Sequence, residues 1–157
     1  MITKPTSQAR NWGHEITVIS TPTHTGKILK RIAGTKGGFQ FHVKEESHYL
    51  MEGTLLLRSK QGGKVKETIV EAGHSWTVPP GFLHQEEALT DCVILEVSDS
   101  TSEDRYAIEP DPGGLPSMTD SQACEILWHL IGRLTDRVSD CTMLHRQIKA
   151  HGLESLL

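Results

Sequence analysis

Between Ile16 and Val97 the apolar and β-branched residues come in short runs: ITVIST, KILKRIA, FQFHV, HYLMEGTLLLR, KVKETIV, SWTV and CVILEV. Runs of this length, rich in Val, Ile, Thr, Phe and Tyr, read as strands, because branched and aromatic side chains pack well on a pleated surface. They are separated by GTKGG (34–38), SKQGGK (59–64), EAG (71–73) and PPG (79–81). Gly and Pro at these points punctuate the pattern as turns. A helical period is absent from this stretch, and closely spaced strands predict a sandwich or barrel.

The pattern changes after Ser98. DSTSEDRYAIEPDPGGLPSM is polar and rich in Pro and Gly, and reads as an arm or linker. Beyond it, Ala123, Ile126, Leu127, Leu130, Ile131 and Leu134 recur at three- and four-residue steps, the spacing of one helix face. Thr119 followed by Gln122 fits a capping box. Val138, Cys141, Leu144 and Ile148 extend or restart the stripe, and Gly152 suits a helix end. Trp128 lies near the stripe as an anchor. The expected organisation is a mainly β, single-domain barrel over 11–110, followed by a linker and C-terminal helical tail over 111–157. Sheet edges together with an amphipathic tail favour a homodimer.

Composition narrows the classes. A chain of 157 residues, 36% hydrophobic and 23% charged, suits one soluble globular domain. A net charge of −4 and the lack of a basic stripe argue against a nucleic-acid partner. The opening MITKPTSQARNWGHE has no apolar core of a signal peptide, and no apolar run approaches the ~20 residues of a membrane span. Cys92, Cys124 and Cys141 are odd in number and lack zinc-finger spacing, so reduced thiols in a cytoplasmic protein are expected.

Of the nine histidines, spacing singles out a few. Residues two apart on a strand share a face, so Gln40 and His42 point the same way. Glu46 keeps that parity if no bulge intervenes. The Pro-Gly turn at 79–81 launches another strand, which carries His84. Two imidazoles and a carboxylate converging inside a barrel make a two-histidine, one-carboxylate site with open coordination positions. Gln40 can add a neutral oxygen as a fourth ligand. The implied cofactor is one divalent transition metal, with Zn, Fe, Mn, Ni and Co all compatible. By the same parity, His48 should face the cavity with Glu46, and Glu86 with His84, making both candidate catalytic bases. Support of the ligands from behind, or plain core packing, is the alternative for His48, and a satisfied carboxylate at the barrel mouth is the alternative for Glu86. Lys27, Lys30, Arg31, Lys36 and Lys44 offer cations for substrate binding, Lys44 and Lys27 first among them, although alternating Lys is also the pattern of a solvated face. Trp12, Trp76 and Phe82 could line the cavity or pack the core.

The segments from Gly34 to Gly53 and from Gly73 to Ala88 resemble the paired motifs of the cupin superfamily. The first motif runs Gly, His-x-His, Glu, Gly. The second runs Gly, Pro-x-Gly, His, and usually Asn. Gly34 to Gln40, Glu46 to Gly53, Gly73 to Pro79 and Gly81 to His84 fall in register, over about residues 27–97. Gln40 stands where the first His is usual, and Ala88 where Asn is usual. A Gln-x-His start resembles the phosphomannose isomerase branch, as do Trp12-Gly-His-Glu15, Lys27-Ile-Leu, Leu95-Glu-Val97 and Glu103-Asp-Arg-Tyr106. The resemblance implies a double-stranded β-helix, or jelly-roll-like, barrel whose metal is bound by Gln40, His42, Glu46 and His84. It implies a small-molecule substrate, a sugar or sugar phosphate, isomerised by proton transfer between adjacent carbons through a metal-stabilised enediolate. Two other classes stay open: an Fe(II)-dependent dioxygenase on the same ligand set, and a non-catalytic module that binds a sugar or small acid.

Overall fold

Alternation along each strand determines what the barrel holds. The computed structural model describes residues 2, 4–42, 44–61, 64–99 and 105–107. Its strands are β1 (Thr6–Arg10), β2 (Gly13–Ser20), β3 (His24–Arg31), β4 (Gln40–His42), β5 (Glu46–Glu52), β6 (Thr54–Gln61), β7 (Lys64–Glu71), β8 (Ser75–Val78), β9 (His84–Ala88), β10 (Cys92–Asp99) and β11 (Arg105–Ala107). One sheet has the order β1-β2-β3-β10-β5-β8 and the other β11-β4-β9-β6-β7. Neighbouring strands pair antiparallel.

On β5, Glu46, His48 and Leu50 are buried while Ser47, Tyr49 and Met51 are exposed. On β10, Cys92, Ile94, Glu96 and Ser98 are buried. The register sets Leu50 opposite Ile94, His48 opposite Glu96 and Glu46 opposite Ser98. The inner row therefore changes from apolar to polar along both strands together. β9 is graded in the same way: Ala88 lies opposite Leu55, with Glu86 and His84 further along. The apolar ends gather into a core of Leu29, Leu50, Leu55, Val70, Ala88, Cys92 and Ile94, with Trp12, Leu57 and Trp76 packed against it. Each fully buried Leu or Ile side chain contributes roughly 1.5–3 kcal/mol. The polar ends face a cavity.

Most predicted runs form strands, with informative differences. HYLMEGTLLLR is two strands rather than one, broken at Gly53. Gly53 has φ 94°, and the chain passes there from one sheet to the other. A Cβ at this position would lie 2.2 Å from the Asp91 carbonyl oxygen, so both the backbone angle and the space demand glycine. SKQGGK is shorter as a turn than expected, because β6 runs on to Gln61 and β7 begins at Lys64. β1 lies ahead of the expected start at residue 11. TSQAR lacks an apolar run, and it forms a strand by pairing with β2 at the sheet edge. β11 falls within the arm expected after Ser98 and pairs with β4. The helical tail predicted over 111–157, with Trp128, Cys124 and Cys141, lies outside the described residues. Among the described residues, no helix is long and apolar enough to cross a membrane.

Gly53→Ala is expected to destabilise the protein by roughly 2–4 kcal/mol, since a left-handed angle and a backbone clash add together. Gly73→Ala, at φ 93° but with nothing within 4 Å of the added Cβ, should cost only about 1–2 kcal/mol. Urea denaturation of the two variants measures the gap; equal losses would show that the Asp91 contact does not matter.

Candidate metal centre and its cavity

Backbone hydrogen bonds bring the two motif segments together. Gly34 N donates to Ala88 O at 2.7 Å, Ala88 N to Thr35 O at 2.9 Å and Gly37 N to Glu86 O at 3.2 Å. The loop ahead of β4 is thereby held alongside β9, and Gln40 comes to lie opposite His84. Gly81, at φ 73°, donates its N–H to His42 O at 2.6 Å, while Phe82 N closes the turn on Pro79 O at 3.0 Å. The turn that launches His84 is thus tied to the residue that supplies His42. Glu46 arrives differently from the expectation. β4 and β5 belong to different sheets, so Glu46 does not follow His42 by strand parity. It meets the two histidines from the other side of the barrel.

His42, Glu46 and His84 are all buried, and each offers a ligand atom within 4.8 Å of the others. His42 Nε2 lies 3.4 Å from Glu46 Oε2. The two imidazoles are 5.5 Å apart, centre to centre. His84 Nδ1 is 3.0 Å from Phe82 O, where it donates as N–H and leaves the Nε2 lone pair for a ligand. Gln40 Nε2 is 3.5 Å from His84 Nε2. A half-turn of that amide presents its oxygen to the same place. Two imidazole nitrogens, a carboxylate and an amide oxygen fit a divalent transition metal, and the backbone anchor on His84 is the orientation that such ligation uses.

The electrostatics suit a cation. Burial pushes the Glu46 carboxyl up, but His42, His48, Lys44 and His84 together outweigh it and hold Glu46 below its ordinary value. Lys44 Nζ lies 3.2 Å from Glu46 Oε1. Burial, aided by His42, lowers His84 to about 4, so the ring is neutral and able to ligate at neutral pH. For Glu86, burial raises the carboxyl, but Arg31 first, then His48 and His84, bring it below the ordinary value. Arg31 and Glu86 form a short ion pair with both side chains buried. Glu96 goes the other way: burial and then Glu46 raise it, against the opposition of Lys27, His48 and Lys44.

These groups line a cavity of about 540 Å³. Of the residues singled out in the sequence, Lys27, Arg31, Lys44, His48, Glu86 and Trp12 reach it together with the four candidate ligands. Lys30 and Lys36 do not; both are exposed. Trp76 stacks on His48 with ring centres 4.9 Å apart, and so supports the cavity wall from behind. Phe82 serves through its carbonyl, as the anchor for His84. Glu96 was the missed residue of most consequence. Its Oε2 lies 3.8 Å from His48 Nε2 and its Oε1 3.7 Å from Lys27 Nζ. A charge in phase with Cys92 and Ile94 on an apolar strand was the readable signal.

Replacing His42 and His84 together by Ala should abolish stoichiometric metal on elemental analysis, whereas Gln40→Ala should weaken binding less, since a neutral oxygen contributes less than a carboxylate. Wild-type metal content in the double variant would dismiss the site. A second expectation concerns the metal-free protein. In the folded chain His84 stays neutral down to about 4, whereas in the unfolded chain it takes up a proton near 6.5. The unfolded state therefore binds more protons in that window, and stability should fall as the pH is lowered through it, by up to about 3 kcal/mol from this group. Urea denaturation of chelator-treated protein at several pH values measures the slope, and His84→Gln should flatten it.

No protein-family model matches the sequence, and no curated protein matches it. Solved structures do match. An oxalate decarboxylase from Bacillus subtilis aligns with TM-score 0.60 at 18% identity, over 66% of this chain and 30% of that one. The capsular polysaccharide assembling protein CapF of Staphylococcus aureus aligns with TM-score 0.61 at 19% identity, over 69% of this chain and 33% of that one. A further Bacillus subtilis oxalate decarboxylase structure, described for its Mn(II) centers, aligns with TM-score 0.59 at 17% identity, over 66% and 30%. The chain spans about a third of the length of the proteins it matches. Likeness at this identity shows the fold, and the fold is that of the cupins.

Proposed function

We propose that this chain is a metal-dependent enzyme that acts on a sugar or sugar phosphate, moving a proton between adjacent carbons as an isomerase or epimerase does. One observation carries the reading. His48, buried and stacked on Trp76, holds Nε2 3.8 Å from Glu46 Oε2 and 3.8 Å from Glu96 Oε2, in the same cavity as the ligand triad. An ion held by Gln40, His42, Glu46 and His84 would supply Lewis acidity toward a ligand carbonyl. Proton transfer also needs a base within reach of the ligand's C–H and a place for the proton to go. His48 supplies the base. Glu96, whose carboxyl is raised by burial, supplies an adjoining carboxylate to take the proton on. Glu86 is the weaker candidate for base, because Arg31 holds its carboxylate ionised and lowers its basicity. Lys27 and Lys44 lie at the wall as substrate contacts. The likeness to a capsular polysaccharide assembling protein supports a carbohydrate ligand, and the likeness to a protein with Mn(II) centers supports Mn(II) as the first ion to try.

The test begins with the metal content of freshly purified protein, followed by a screen of sugars and sugar phosphates with that metal. Isomerisation without oxygen uptake is the expected result, and His48→Gln should lower kcat by about 10²–10⁴-fold at unchanged metal content. Stoichiometric oxygen consumption would make the protein a dioxygenase instead, and tight binding without turnover a binding module.

A further inference from the structure

The four basic side chains that line the cavity each lie beside a carboxylate. Arg10 is 3.2 Å from Glu15, and Lys27 is 3.1 Å from the same residue and 3.7 Å from Glu96. Lys44 is 3.2 Å from Glu46, and Arg31 is paired with Glu86. The wall thus carries as many carboxylates as cations. A phosphate seated there would have to displace a carboxylate from its partner and then lie against it. Coulomb repulsion of that kind is strong where water is excluded.

What the pairing leaves is a mixed set of hydrogen-bonding atoms. Arg31 Nε is a buried donor without a hydrogen-bond partner, and Glu86 Oε1 and Glu96 Oε1 are buried acceptors without one. His48 Nδ1 is also unpartnered. Arg31 and Glu86 are 8% and 7% exposed, and both line the cavity. Their side chains are fixed in place: the Arg31 guanidinium also lies over the Trp12 ring, 5.0 Å from its centre. Buried polar atoms are normally paired, and unpaired ones call for an explanation. A phosphate oxygen only accepts and can answer Arg31 Nε alone. Hydroxyl groups both donate and accept, and so match a wall that leaves both a donor, Arg31 Nε, and an acceptor, Glu86 Oε1, unanswered.

We infer that the Arg31–Glu86 wall is a subsite for the hydroxyl groups of an uncharged sugar or polyol, and that the cavity has no phosphate subsite. This rests on the carbohydrate reading above and sharpens it. The excess positive charge in the cavity is then that of a bound dication, so any negative charge on the ligand belongs at the triad and not on the wall.

The experiment is calorimetric titration of the Mn(II)-loaded wild-type protein with neutral aldohexoses and ketohexoses and with the 6-phosphates of the same sugars. The inference predicts that a neutral sugar binds and that its 6-phosphate is no more than about threefold tighter. A 6-phosphate that binds tenfold or more tightly would overturn the inference and leave the carbohydrate reading standing. If neither form of any sugar binds, the carbohydrate reading fails and the inference falls with it. Glu86→Gln provides a second readout, because it leaves the Arg31 charge uncompensated: preference should shift toward the 6-phosphate by tenfold or more. No shift in a folded variant would count against the subsite.

Discussion

A carboxylate taken out of water must be met by positive charge, and three of them lie inside this barrel. Glu46, Glu86 and Glu96 are 4%, 7% and 6% exposed. The effective cost of burying such an ion is several kcal/mol unless it is paired and hydrogen-bonded. Glu46 has His42, His48 and Lys44 around it, Glu86 has Arg31, and Glu96 has Lys27 and His48. Most of these partners come from other strands, so strand register decides whether the charges balance. Glu96 on β10 stands opposite Lys27 on β3 and opposite His48 on β5. A slip of one residue in either pairing would turn these side chains to the wrong face. Register is therefore fixed from both ends of the barrel, by apolar packing at one and by charge compensation at the other.

Much of this was legible in the sequence. The strand runs, the punctuating glycines and prolines, and the two motifs foretold a mainly β fold in which His42, Glu46 and His84 draw together. His48 and Glu46, two apart on β5, and Glu86 and His84, two apart on β9, all line one cavity, the placement that a period of two implies. Parity failed between His42 and Glu46, because a change of sheet between β4 and β5 leaves no local mark that a period of two can register. The break at Gly53 was hidden for a related reason: a single residue can reverse the chain when its φ is positive, and the flanking run stays uniformly strand-like. β1 and β11 owe their strand state to a neighbour's open edge rather than to their own composition. The Glu86 and Glu96 pairings depend on contacts distant in sequence, which one chain read alone does not reveal.

Ala88 shows how a departure from a resembled motif acquires a reason. The motif that Gly73 to Ala88 resembles usually has Asn, a polar residue, at its end, yet Ala88 is fully buried opposite Leu55 and belongs to the apolar core. Its backbone does the polar work, accepting from Gly34 N and donating to Thr35 O. The small side chain leaves room for Leu55 and Ile94, while the main chain holds the first motif against the second.

The grading of the inner rows has a consequence for how such a chain can change. On β5, β9 and β10 the residues that secure packing and those that face the cavity sit on the same face but at different ends. Selection for a new ligand can then act on one end of each strand while the other end keeps the molecule folded. Residues at the junction answer to both demands: Arg31, which rests on Trp12 while pairing Glu86, Leu29, which belongs to the core yet borders the cavity, and Trp12, which packs against that core and borders the cavity as well. These positions should be among the slowest to vary when the chemistry drifts.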